Sequence, residues 1–113
     1  MNTAHIKESE LACKCCGQTK PNQHLMAVLQ LVRIHFNKPV SITSGYRCES
    51  HNKNVGGAEK SQHVQGTAAD IQVKGVDPLD VYHFINSVFP NSYGLGCYEN
   101  FTHIDVRATK ARW

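Results

Sequence analysis

Two short segments limit what this chain can fold into. Ala68–Val73 and Thr102–Arg107 both read in the two-residue period of a β-strand. In the first, Ala69, Ile71 and Val73 share one face, while Ala68, Asp70 and Gln72 share the other. In the second, Thr102, Ile104 and Val106 oppose His103, Asp105 and Arg107. Each apolar face needs a helix to cover it, and each polar face is left to line a cleft. If the two strands pair, Asp70 stands beside His103. His63, seven positions before Asp70, can swing in from the preceding loop, and Gly66 between them permits a tight turn or close backbone approach.

The rest of the chain reads as support for these strands. Residues 1–21 are mixed in character and punctuated by Gly17 and Pro21, so a loop with a helical turn at Ser9–Leu11 is predicted. Leu25, Val28, Leu29, Val32 and Phe36 then recur at helical spacing. Asn22 is the predicted N-cap, and Asn37-Lys38-Pro39 ends the helix. His24 and His35 are ordinary residues of this helix. Val40–Thr43 alternates as a strand and runs into a polar loop through Gly56-Gly57 that has room for a short helical turn. Asp77-Pro78 opens a second helix, with Val81, Phe84, Ile85 and Val88 on its apolar stripe and His83 facing solvent. Gly94–Tyr98 and Thr102–Val106 are predicted as two strands joined by Glu99-Asn100. The order of elements gives an α+β domain: a small antiparallel sheet with flanking helices.

A length of 113 residues suits one domain spanning 1–113, with residues 1–21 as an N-terminal loop region. Apolar content of 41% is enough for one modest core and argues against disorder. A net charge of +3 favours an anionic polymer only weakly, and no basic run provides a nucleic-acid footprint. No window approaches the roughly 20 apolar residues of a membrane span, and no secretory h-region is visible at Met1–Glu8. Synthesis in the cytosol, no membrane insertion and a monomeric state are the expectations. The five cysteines are then expected to be reduced. The Cys13, Cys15 and Cys16 cluster lacks the second ligand pair of a structural zinc site, and Cys48 could serve only by folding back. Small buried thiols in an N-terminal loop are the simpler expectation.

Imidazole nitrogen and carboxylate oxygen are both good zinc donors. Two histidines and one carboxylate leave a fourth position open to water, which points to catalysis. On the residues alone, His63 as a polar loop residue and Asp70 as a capping residue is an equal alternative. However, Ser61-x-His63-x-x-Gly66-x-Ala68-x-Asp70, followed by His103-x-Asp105, resembles the zinc D-Ala-D-Ala carboxypeptidase family. Its relatives include phage endolysins that cut peptidoglycan peptides, the vancomycin-resistance dipeptidases and the hedgehog fold. Ser44–Arg47, Val55–Ala58 and Phe101–Arg107 add to the likeness, which covers about residues 22–113.

The resemblance implies one zinc ion on His63, Asp70 and His103. It implies an arginine, Arg47, near the scissile carbonyl. Some relatives carry glutamate three positions before the last ligand, where this chain has Asn100; others carry histidine two positions before it, where this chain has Phe101. The proton acceptor is therefore sought in Asp105, as base or as a group orienting a ligand, and then in Glu99. Ser61, Tyr46 and Tyr98 are candidate substrate contacts. His51 in the loop after Arg47 is read as a capping residue. The implied activity is hydrolysis of an amide bond in peptidoglycan stem peptides by a lysis enzyme that reaches the wall through a phage holin. A zinc-binding module without turnover is the alternative, and a functional metal site at Cys13–Cys16 is a third, weaker one.

Overall fold

The computed structural model describes residues 5–20, 22–57 and 61–113. Pro21 and Ala58, named above as a punctuator and as part of a family motif, lie outside the described residues. A 3-10 turn at Glu8–Leu11 precedes α1 (Gln23–Phe36), β1 (Val40–Ser44), a short α2 (Glu49–Asn54), β2 (Ala68–Val73), α3 (Pro78–Val88), β3 (Gly94–Cys97), β4 (Thr102–Asp105) and β5 (Ala111–Arg112). Both long helices start as their caps dictate. The Asn22 side chain accepts a hydrogen bond from the Leu25 amide at 3.0 Å, and the Asp77 side chain accepts one from Leu79 at 2.9 Å with Pro78 at the first helical position. Asn37 closes α1 in the left-handed region at φ +52°, which asparagine tolerates better than most residues.

The strands form one sheet in the order β1-β2-β4-β3-β5. The β1–β2, β2–β4 and β3–β4 pairs are antiparallel, as predicted. The sheet gains a strand that the sequence pattern did not suggest: β5 pairs with β3 in parallel, Gly94 opposite Ala111 and Leu95 opposite Arg112. Two residues are too short to show periodicity. This strand is held instead by Arg112, whose guanidinium donates to the carbonyls of Tyr93, Phe89 and Ser92 and to Asn86 Oδ1 at 2.7–2.9 Å.

One sheet face carries the core. Ala69, Ile71, Val73, Leu95 and Ile104 join Leu25, Leu29 and Val32 of α1 and Val81 and Ile85 of α3 in a single buried cluster. Each fully buried aliphatic chain contributes about 1.5–3 kcal/mol of apolar transfer. Ile6 and Leu11 from the N-terminal segment are part of the same cluster, so that segment is more than a loose loop. His24 and His83 are exposed, and His35 stacks on Phe84 with ring centroids 3.8 Å apart. The opposite face is left to the polar residues of β2 and β4. No helix among the described residues is long and apolar enough to cross a membrane.

Candidate metal centre

Strand register brings the site together. Asp70 of β2 lies directly opposite His103 of β4, and Ala68 lies opposite Asp105. On the other flank of β4, Gly96 faces His103 and Gly94 faces Asp105. Alternation therefore places Asp70, His103 and Asp105 on one face, with Ala68, Gly94 and Gly96 as small neighbours of Asp105 and His103. A methyl group on Gly94 would lie 2.5 Å from the Asp105 carboxylate, and one on Gly96 would lie 2.3 Å from the Trp113 indole nitrogen. The small residues are space left for these groups.

His63 arrives from the turn before β2. That turn closes through Gly66, at φ +76°, where any side chain would meet the Lys20 backbone at 2.7 Å. The His63 ring is buried, and its Nδ1 lies 2.8 Å from the Gly45 carbonyl. Gly45 is placed by an irregularity in β1, where the register shifts between Ile42 and Ser44. Donation from Nδ1 to this carbonyl leaves the Nε2 lone pair facing Asp70 Oδ2 at 3.3 Å.

His103 is fixed in the same manner. Its Nε2 is 2.8 Å from Asp105 Oδ2, and its Nδ1 is 2.8 Å from Asp70 Oδ1. Asp105 is fully buried, and both of its oxygens are engaged. Oδ1 accepts from the Arg107 amide and Nε, and Oδ2 accepts from Arg107 Nη2 and His103. Burial opposes ionisation of Asp105, but hydrogen bonds from Arg107 and His103 outweigh it and hold the carboxyl well below the usual carboxylate range. Asp70 shows the same balance: burial raises it, while His103 and His63 bring it down to about 2. Burial lowers the proton affinity of His103, yet its bonds to Asp105 and Asp70 raise it overall.

The donor set fits a metal ion. One donor atom from each of His63, Asp70 and His103 lies within 4.8 Å of the others. Bonds of about 2.0–2.1 Å in a tetrahedron separate neighbouring donors by about 3.3 Å. The His63–Asp70 pair has that spacing, and the His103–Asp70 pair, at 2.8 Å, stands at hydrogen-bond distance, somewhat closer than two ligands of one ion. Each imidazole also has its remote nitrogen on an acceptor, Gly45 or Asp105, the support that metal-ligating histidines need.

The three donors open onto a cavity of about 730 Å³. Arg47, Ser61, Tyr98, Phe101, Arg107 and Trp113 also line it. Arg47 Nε is buried there without a hydrogen-bond partner, and the residue makes no salt bridge among the described residues. Burial lowers the Arg47 pKa, and the charge of Asp70 partly offsets this.

Several expected residues lie elsewhere. Tyr46 is not among the residues lining the cavity, and the Lys20 ammonium lies 5.4 Å from its ring centre. Glu99 is exposed on the β3–β4 turn, and His51 is in α2; neither lines the cavity. Asp105 lies behind His103, away from the cavity lining. Trp113 was not foreseen. The β5 pairing carries it back over the site, 5.1 Å from the His103 ring, and its Nε1 donates to the Tyr98 hydroxyl at 2.7 Å. No local pattern in Ala111-Arg112-Trp113 announces that role.

A sheet that presents two imidazoles and a carboxylate to an open cleft offers a donor set that could hold one metal ion. The chain belongs to the Peptidase M15 family, whose profile matches residues 4–105. It is 32% identical over 74 residues to the peptidoglycan L,D-endopeptidase MepK of Escherichia coli (strain K12), covering 61% of this chain and 41% of that one. It is 46% identical over 35 residues to the zinc D-Ala-D-Ala carboxypeptidase of Streptomyces albus G, 31% of this chain and 14% of that one. The chain thus spans about two-fifths of the length of the MepK relatives it matches.

Proposed function

We propose that residues 1–113 form a single zinc peptidase domain that hydrolyses an amide bond in peptidoglycan stem peptides. The observation that carries this is the donor geometry: His63 Nε2, Asp70 and His103 Nδ1 converge at an open cleft, with both remote imidazole nitrogens held. His63, Asp70 and His103 would hold the ion. When bound, zinc acidifies a water and polarises the scissile carbonyl. Arg47 places a guanidinium in the same cavity, where it stabilises charge developing on the carbonyl oxygen. Tyr98 accepts the Trp113 N–H, which leaves its own hydroxyl hydrogen free to donate to a peptide carbonyl. The Ser61 hydroxyl oxygen accepts a hydrogen bond from the His63 amide at 3.2 Å and shapes the approach to that ligand.

Asp105 serves as an orienting group in this reading. Both of its oxygens are committed and its basicity is reduced, which suits holding His103 better than accepting a proton from the cleft. Asp105→Asn is expected to weaken zinc affinity or activity about 10–100-fold. Zinc titration beside the pH–rate profile checks this: unchanged affinity with a displaced acidic limb would instead make Asp105 the base.

The bond cut is either D-Ala-D-Ala, by carboxypeptidase action, or L-Ala-D-Glu, by endopeptidase action. The relatives' names support a peptidoglycan peptide as substrate. A phage or prophage lysis enzyme that crosses the membrane through a holin and acts as a monomer completes the reading. Purified peptidoglycan incubated with the chain should release new amino groups, stop doing so with a chelator and resume with added zinc. Mass spectrometry of the fragments names the bond.

A second reading, a zinc-binding module without turnover, has one observation in its favour. Among the described residues lining the cavity, Asp70 is the sole carboxylate, and it is already a ligand candidate. Zinc retained at this centre with no release of amino groups would establish that reading.

A further inference from the structure

We propose that Cys13, Cys16 and Cys48 hold a second metal ion, a structural zinc, with Cys15 as the fourth thiolate. The sequence argued against this because a second ligand pair was missing. The fold supplies it by bringing Cys48 back across the sheet edge onto the N-terminal turn. The sulfurs of Cys13, Cys16 and Cys48 all lie within 4.8 Å of one another; Cys15 stands outside that set, with its thiol toward Cys48, and would have to turn in as the fourth ligand. Of the cluster's N-terminal members only Cys13 is buried; Cys15 and Cys16 are exposed, so the expectation of small buried thiols fails for them.

Backbone amides are directed at the sulfurs. The Cys48 amide donates to Cys13 Sγ at 3.4 Å, and the amides of Cys15 and Cys16 add to it. The His51 amide donates to Cys48 Sγ at 3.4 Å, and the Gln18 amide serves Cys16. Backbone N–H groups thus fix the positions of three separate sulfurs around one point. The backbone is folded for it. Cys13 N donates to Gln18 O and Gly17 N donates to Cys13 O, both at 2.8 Å, closing a tight turn around Cys13-x-x-Cys16-Gly17. Gly17 takes φ +74° at the corner. A tetrahedral thiolate set is a closed structural zinc site, unlike the open His63–Asp70–His103 centre.

Such an ion would clamp the start of the chain to the loop that carries Arg47. Cys48 is the next residue, and the Tyr46 amide is bonded to Leu11 O at 2.8 Å on the same contact. The proposal does not depend on catalysis at the other centre.

Metal analysis of the full chain, isolated under reducing conditions, tests it. The native chain should carry a second zinc ion, and cobalt substitution should give thiolate-to-cobalt charge-transfer absorption. Cys48→Ser should remove one ion per chain and that absorption, while His63→Ala should remove the other ion and leave the absorption intact. Cys15→Ser should bind the second ion at least ~10-fold more weakly, in line with losing one ligand of a closed set. Absence of the cobalt–thiolate absorption in the native chain at metal saturation would overturn the proposal, and this readout needs no variant to fold. A disulfide among Cys13, Cys16 and Cys48 found by mass spectrometry in the reduced preparation would overturn it equally.

Discussion

His63→Ala is expected to lose the ion of the His63–Asp70–His103 centre and, with it, release of amino groups from peptidoglycan down to the level without enzyme. Two donors remain, Asp70 and His103, and without the ion they close on each other through their 2.8 Å contact. The fold should survive. The change leaves the buried Gly45 carbonyl without its partner, a loss of about 1–3 kcal/mol against a typical domain stability of about 5–15 kcal/mol. Circular dichroism beside metal analysis separates loss of the ion from loss of the fold. A folded variant with undiminished zinc would remove His63 from the ligand set.

Arg47→Met is expected to lower kcat by about 10²–10³-fold with a smaller change in KM. The side chain lines the cavity, and its Nε is buried without a partner, so its donors are available to a substrate rather than used up within the fold. Arg47 makes no salt bridge among the described residues. Lysine should rescue only part of the loss, because a point charge does not reproduce two donors in a fixed plane. Steady-state kinetics on a synthetic stem peptide give the split. A rise in KM alone would make Arg47 a binding group with no preference for the transition state.

Strand periodicity made two members of the candidate centre readable. Asp70 and His103 fall on the polar faces of strands that alternate without interruption, and their pairing is one register choice away. Both helices were legible from apolar spacing and their Asn22 and Asp77 caps. What escaped depends on long-range closure. Cys48 reaches Cys13 only after β1 turns back past the N-terminal segment. Trp113 reaches His103 only through a two-residue parallel pairing that carries no periodic signal. The orienting role proposed for Asp105 rests on its bidentate contact with Arg107, a neighbour two residues away whose rotamer no pattern encodes.

Ala68, Gly94 and Gly96 perform no chemistry, yet Ala68 and Gly94 flank Asp105 on both sides and Gly96 lies beside His103. Their contribution is vacancy, since a single added carbon would occupy the volume of the Asp105–Arg107 pair or of the indole. Evolutionary drift in this domain is therefore confined twice over, by which atoms must be present at the ligands and by which must be missing beside them. A designer who transplants only the three ligands onto another sheet would carry over the first constraint and lose the second.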